Sequence, residues 1–250
     1  MKLSRRATDL EAIDRAGYVI VPGAFTAAEV RELIAESAAV LARPEAARSL
    51  LCRGNGIYGA RNLLDLWPAV AKHWQRPPLP ELLHQALSRR FGLVRALYFD
   101  KHEETWSLPW HKDLTIAVRE RRPSARFTKP TVKAGVPHVE APVELLEQML
   151  TLRIHLDDVT AANGPMIVLP GSHTTGKQLV IDETKRVNIE VARGDVLAIR
   201  PLVAHASAAS QPGHAEHRRV LHLEFAGQEE LEDGLAWHRY IQCRIPNAER

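Results

Sequence analysis

The chain is expected to fold as a mainly β protein, a sandwich or jelly roll, with helices from its N-terminal part packed on one face. Three observations predict this. Apolar residues recur at helical spacing in the first third of the chain. From residue 93 onward, short apolar runs are separated by turn residues at Asn163-Gly164-Pro165, Pro170-Gly171-Ser172, Gly194-Asp195 and Gln211-Pro212-Gly213. The bulk composition, 250 residues with 45% hydrophobic and 25% charged, suits one globular domain with an ample core. Other classes are excluded. No window nears the roughly 18 apolar residues of a membrane span, and no repeat of about 20–50 residues is visible. Lys+Arg 33 against Asp+Glu 30 gives +3, too mild to imply nucleic acid.

The elements follow in order. Leu10 to Arg15 reads as a short helix ending at Gly17, and Tyr18-Val19-Ile20-Val21 as a strand closed by Pro22-Gly23. Thr26 and Glu29 form a capping box. Val30, Leu33, Ile34 and Leu41 then mark a helix that Pro44 stops. A second amphipathic helix is expected from Pro80 to Arg90, with Leu82, Leu83, Ala86 and Leu87 inward and Gly92 as its C-cap. Strands are expected at 93–99, 151–156, 166–169, 179–181, 187–191, 196–199 and 220–225. Residues 10–92 thus read as a helical buttress and 93–226 as the β core of a single domain covering 1–250. Residues 117–150 show no clear strand. Within them, the subsegment 119–133 carries Arg119, Arg121, Arg122, Arg126, Lys129 and Lys133 against Glu120, a local charge of +5. Such an insertion is read either as a lid gripping an anionic ligand or as a solvated loop. Residues 227–250 include Leu231, Leu235, Trp237, Tyr240 and Ile241, apolar enough to dock on the domain or on a second chain. The sequence leaves both, and the oligomeric state, open.

Cys52 and Cys243 form neither a CxxC pair nor a disulfide framework, which points to a reducing cytoplasm. The opening Met-Lys-Leu-Ser-Arg-Arg hints at twin-arginine export. Ala7-Thr8-Asp9-Leu10-Glu11 follows where an apolar stretch is needed, so a cytoplasmic protein is expected.

The strongest chemical signal is His-x-Asp. Residues i and i+2 of a strand point the same way, so an imidazole and a carboxylate at that spacing can take adjacent positions on one metal. The chain has two such pairs, His111-Lys112-Asp113 and His155-Leu156-Asp157. His205, 94 residues after His111, is the candidate third ligand for a facial triad. A chain with 12 histidines produces about one His-x-Asp by chance, and spacing alone does not choose between the pairs.

The run Leu156-Asp157-Asp158-Val159-Thr160-Ala161-Ala162-Asn163-Gly164-Pro165-Met166-Ile167-Val168-Leu169-Pro170-Gly171-Ser172-His173 resembles the phytanoyl-CoA dioxygenase family of non-haem iron, 2-oxoglutarate-dependent oxygenases. The upstream Trp110-His111-Lys112-Asp113 is similar to the family's His-x-Asp. Gly194-Asp195, His205-Ala206-Ser207 and Arg218-Arg219-Val220 follow in the family's order. Gly17-Tyr18-Val19-Ile20-Val21-Pro22-Gly23 fits its first strand, so the likeness spans about residues 10–226. It implies a cupin-like double-stranded β-helix, a distorted jelly roll. It assigns the metal to His111, Asp113 and His205, and sets His155 beside it. His173 would belong to a turn. Fe(II), 2-oxoglutarate and O₂ would be the cofactor and co-substrates, with hydroxylation of a small molecule and release of succinate and CO₂.

The distal carboxylate of 2-oxoglutarate needs a cation in a dry pocket, and the planar fork of Arg suits it. The resemblance gives this role to Arg218, helped by Ser207. Arg219 is the nearest rival, because one step along a strand reverses its facing. Lys101, Thr151 and Arg153 are further candidates. Arg153 and His155 share one strand face, inner if they line the pocket. Related halogenases carry a small residue at the position of Asp113, so a carboxylate there implies hydroxylation or desaturation. An anionic small-molecule substrate is favoured by the 119–133 charges.

Other features are read as decoys. Gly171-Ser172-His173-Thr174-Thr175-Gly176-Lys177 matches a nucleotide-binding loop until Gln178 replaces the Ser or Thr that would reach Mg²⁺. His214 and His217 are read as loop residues. Trp110 is expected beside the metal ligands, and the five Trp as core or pocket wall. Two rival functions remain: a non-catalytic jelly-roll binding protein, and a nucleic-acid binder, for which the basic segment offers only Phe127 for stacking.

Overall fold

A computed structural model describes residues 2–53, 56–88, 90–101, 107–211, 213 and 216–244, with the side chains of 2–8 excepted. Trp106, Pro212 and His214 lie outside the described residues. The first helix, α1 (Lys2–Ala16), is longer than its apolar pattern predicts and stops at Gly17. Gly17 takes φ +86°, and a Cβ there would lie 2.3 Å from Val203 Cγ2, so both backbone and packing demand glycine. After β1 (Tyr18–Val21), the capping box of α2 (Ala27–Leu41) forms as expected. Thr26 Oγ1 accepts from the Glu29 amide, and Glu29 Oε2 accepts from the Thr26 amide at 2.8 Å.

Then come β2 (Leu50–Arg53), β3 (Gly56–Ala60), α3 (Leu63–Leu66) and α4 (Leu79–Leu87). α4 ends at Ser88, which takes φ +104°. Gly92 is therefore not its C-cap. It lies inside β4 (Phe91–Lys101), where the Tyr240 ring occupies the space a Cβ would need. The remaining elements are β5 (Leu108–His111), β6 (Thr115–Ala117), β7 (Thr128–Lys133), β8 (Val136–Glu140), α5 (Val143–Glu147), β9 (Met149–His155), β10 (Met166–Val168), β11 (Val187–Ile189), β12 (Val196–Ile199), β13 (His205–Ser207), β14 (Arg218–Ala226) and β15 (Ile241–Cys243). The expected strand at 179–181 does not form. Leu179, Val180 and Ile181 are exposed and find no sheet partner.

Residues 117–150 also differ from expectation. They contain the β7–β8 hairpin, which joins β6 in a three-stranded sheet, and α5. Three of its basic residues are tied to acidic ones. Arg126 pairs with Glu144 and Glu232, Arg122 with Glu120, and Lys129 with Glu140.

The architecture is a jelly roll of antiparallel sheets, not closed as a barrel. The major sheet runs β1-β12-β9-β14-β4-β3-β2, with β15 also on β4, and the minor sheet runs β11-β10-β13-β5. Strand alternation divides the major sheet into two faces. Leu221, Leu223 and Phe225 of β14 and Leu150, Leu152 and Ile154 of β9 face the helices, where they meet Ile13, Leu33 and Leu83 in the main core. Each such side chain, fully removed from water, contributes about 1.5–3 kcal/mol. The opposite face looks toward the minor sheet. Its apolar end packs Leu197 and Ile199 against Met166, Val168 and Ile189. A third cluster joins the hairpin sheet to the C-terminal segment through Ile116, Phe127, Leu146, Leu231, Leu235 and Trp237. Residues 227–244 thus dock on their own domain. Asp65 clasps them by accepting from His238 at 3.0 Å and Arg239 at 2.5 Å.

Candidate metal centre and its cavity

The pairing of β13 with β5 sets His205 opposite His111, while Asp113 follows just beyond β5. The Asp113 amide donates to the Pro201 carbonyl at 2.9 Å, which fixes the chain after the strand. Ligand atoms of His111, Asp113 and His205 all lie within 4.8 Å of one another, the one such group of three among the described residues. His205 Nε2 stands 3.7 Å from Asp113 Oδ2.

Backbone carbonyls orient both rings. His111 Nδ1 lies 2.8 Å from the Pro109 carbonyl, and His205 Nδ1 lies 2.9 Å from that of Val203. A carbonyl only accepts, so each Nδ1 carries the proton and each Nε2 presents a lone pair. Burial holds His205 down to about 4, the neutral state a metal needs. Burial would push the Asp113 carboxyl up, but His205, His222, His111 and Arg95 hold it at about 2. Two neutral imidazoles and a carboxylate, with protons turned away, suit a divalent transition metal with open positions.

Lys112 is the residue between these ligands, and it faces the other way. Its Nζ donates to the Ser172 carbonyl at 2.8 Å, Thr175 Oγ1 at 2.9 Å and the Gly176 carbonyl at 2.6 Å. The segment 171–177 therefore offers carbonyls to a lysine, and Lys177 pairs with Glu140. It is a brace and not a phosphate loop. Ser172 Oγ accepts from the Ala204 amide at 2.8 Å, next to His205. His173 lies 3.1 Å from the Asp14 carbonyl at the end of α1. Trp110 also points away from the site. Its indole N–H donates to Glu183 at 2.7 Å, which corrects the expectation that it packs beside the ligands.

The triad borders a cavity of about 220 Å³ between the two sheets. At one end Arg218 donates to Ser207 Oγ at 3.2 Å and stands in register with Lys101. Lys101 also bonds Ser207 at 3.3 Å and the Ala208 carbonyl. Burial, with Arg218 adjacent, lowers Lys101 to about 7, and burial beside Arg153 lowers Arg218 to about 9. Arg218 Nε is buried without a partner. Gly164 explains the Asn-Gly-Pro turn here. A Cβ on it would meet the Ala208 carbonyl at 2.4 Å and Lys101 Nζ at 2.7 Å. Arg219 faces out and is spent on Asp157, donating from Nε at 2.8 Å and Nη2 at 2.7 Å. That pair also occupies the carboxylate of the second His-x-Asp. His155 is buried on the inner face with both ring nitrogens unpartnered, and burial near Arg153 and Arg218 pulls it well below the usual histidine range.

Arg153 lines the cavity on the same inner face. Its Nη1 lies 3.0 Å from His222 Nδ1, and His222 Nε2 lies 2.9 Å from Glu224 Oε1, which also accepts from Arg95. A guanidinium only donates, so His222 accepts through Nδ1 and donates through Nε2 to Glu224. Thr151 sits opposite Glu224, at the other end of the strand from Arg218. Sequence reasoning missed Arg61, Arg95, His222 and Glu224. Alternation along β14 carries the signal for two of them, because Arg218, His222 and Glu224 share one face, opposite Leu221, Leu223 and Phe225.

A family model described as phytanoyl-CoA dioxygenase matches residues 13–219. No curated protein matches the sequence. Solved structures share the fold. EctD from S. alaskensis in its apoform superposes with TM-score 0.67 at 19% identity, covering 88% of this chain and 76% of that one. The same protein with 2-oxoglutarate and 5-hydroxyectoine gives 0.67 at 20%, covering 88% and 75%. The epimerase SnoN in complex with Fe³⁺, α-ketoglutarate and nogalamycin RO gives 0.64 at 20%, covering 98% and 97%.

Proposed function

The chain belongs to the phytanoyl-CoA dioxygenase family, and from that premise we propose that it is an Fe(II)- and 2-oxoglutarate-dependent dioxygenase hydroxylating an unactivated C–H bond of a small anionic molecule. Succinate and CO₂ are the co-products. The observation that carries the reading is the meeting of three ligand groups, two of them with carbonyl-fixed tautomers, in a cavity that ends on an incompletely satisfied arginine.

His111, Asp113 and His205 would hold the iron at the border of the cavity. Bound there, the metal supplies the redox chemistry between O₂ and 2-oxoglutarate. Arg218 holds the distal carboxylate through its planar fork, and Ser207 shares that contact. Lys101 adds positive charge at the same end. Arg218, Ser207 and Lys101 are all buried, which strengthens each of these interactions. The Asp113 carboxylate would serve as the third protein ligand, which supports hydroxylation over halogenation. A cytoplasmic location fits the two unpaired cysteines, exposed Cys52 and buried Cys243. No helix among the described residues is long and apolar enough to cross a membrane.

The test is an anaerobic titration of the full chain with Fe(II) and 2-oxoglutarate, followed by the visible charge-transfer band of the chelate. The band is expected in the parent and in His155→Ala, and lost in His111→Ala. Loss that follows His155 instead would move the metal. A folded parent without any band would favour a non-catalytic binding protein.

A further inference from the structure

Two groups of cations share the cavity and stand at opposite ends of one strand. β14 presents Arg218, Val220, His222 and Glu224 to it in turn. At roughly 3.4 Å per residue, Arg218 and Glu224 are about 20 Å apart. The Arg218 end holds Lys101 and Ser207. The Glu224 end holds Arg61, Arg95 and Lys133.

Among the described residues that line this end, two carboxylates, Glu224 and Asp113, stand against three cations. Glu224 takes one nitrogen of Arg95 and the proton of His222. Arg95 is 9% exposed, and its Nε and Nη1 are buried without a partner. Lys133 enters from the hairpin and donates to Thr115 Oγ1 at 2.9 Å, two residues beyond Asp113. Asp113 itself is committed to the metal-binding group. Arg153, between the two ends, also keeps Nε unpartnered. Burial and the mutual proximity of Arg61, Arg95 and Lys133 lower the proton affinity of Arg61 and Lys133. A buried arginine with orphaned donors, flanked by two half-buried cations, is unfavourable without an anion to receive it.

We propose that Arg61, Arg95 and Lys133 form an oxyanion subsite that takes the carboxylate or phosphate of the primary substrate, at the end of the cavity opposite the 2-oxoglutarate arginine. The inference rests on the oxygenase reading of the site. Arg95 is held by Glu224, and the Arg153–His222–Glu224 chain keeps that carboxylate in place. Lys133 brings the hairpin into substrate recognition, a role that Arg121, Arg122 and Arg126 do not share. Because Lys133 is anchored on Thr115, two residues from Asp113, the anionic group would sit close to the metal-binding group and the oxidised C–H a few bonds from it.

The experiment loads the full chain anaerobically with Fe(II) and 2-oxoglutarate and titrates inorganic phosphate and acetate, read by calorimetry and by the chelate band. Saturable binding of at least one probe is expected while the band persists. Its affinity falls tenfold or more in the Arg61→Gln/Lys133→Gln double variant and is unchanged in Arg121→Gln. Tighter phosphate identifies a phosphate ester, and tighter acetate a carboxylate. Circular dichroism checks that each variant is folded. Three results overturn the proposal: neither probe binds, binding is equal in parent and double variant, or binding displaces 2-oxoglutarate and disappears in Arg218→Gln. If the parent shows no chelate band, the oxygenase reading has failed. The same titrations on the metal-free chain then decide the anion subsite alone, because its three cations need no iron.

Discussion

Lys112 separates two of the candidate metal ligands and faces away from both. Alternation throws it to the far side of β5, where it ties the 172–176 turn to the strand that carries His111. Arg218 and Arg219 are divided by the same rule, one toward the cavity and one toward Asp157. The two arginines should therefore fail differently. Arg218→Ala is expected to raise the 2-oxoglutarate concentration needed for the chelate band at least tenfold with little change in Tm. Arg219→Ala should lower stability by about 1–2 kcal/mol, since it frees a half-buried carboxylate and leaves it unpaired, with chelate formation preserved. Equal loss of the band in both variants would contradict the assignment. At this scale the sequence was readable: Arg219 could be named as the rival, and the Asp157 contact shows which of the two side chains turns away from the cavity. Lys112→Met should cost about 1–3 kcal/mol in denaturant unfolding, because three acceptors on the 172–176 turn lose their donor. An unchanged midpoint would show that the turn holds without it.

Elements were legible where their signal is local. The capping box, the Gly17 stop and most core strands follow from patterns a few residues long. The β7–β8 hairpin was missed for a physical reason. Its two-residue loop is Ala134-Gly135, with φ +49° and +80°, the geometry of a type I′ turn. Asn-Gly or Asp-Gly announces that turn, whereas alanine carries no such preference and pays for the left-handed conformation. Pairing with β6, from across the insertion, forces the turn instead. Ala134→Asn is predicted to raise stability by about 0.5–1 kcal/mol, seen as a higher Tm with the chelate band unaltered. A lower Tm would mean that the turn is not strained. Gly92 was misread in the opposite sense. A glycine after a helical pattern looks like a cap, but this one makes room for Tyr240 from the far end of the chain.

Over the whole molecule, three cores hold two sheets, a hairpin layer and a helical face around one charged cavity. Several histidines are buried away from any acid that would keep them charged. Burial lowers His138 and His73 to about 4. In the unfolded chain they titrate near 6.5, so between about 4 and 6.5 the unfolded state binds more protons. Stability is then complete above pH 6.5 and declines as pH falls toward 4, with each such histidine contributing up to about 1.4 kcal/mol per pH unit. The Tm of the metal-free protein should drop clearly between pH 7.5 and 5. A flat profile would show that these rings protonate freely in the fold.

Periodicity, turn residues and an ordered set of short motifs determined the fold class and the pair of possible His-x-Asp sites, because each is written in neighbouring residues. The Asp157–Arg219 pair engages the carboxylate of one of those pairs, and strands brought together from across the chain set the other beside His205. Which face of β14 meets the cavity, why Arg95 and Lys133 join Arg61 from three separate segments, and where residues 227–244 dock all depend on contacts between residues far apart in sequence. No local pattern encodes such contacts, since they exist only once the sheets have paired and the cores have closed.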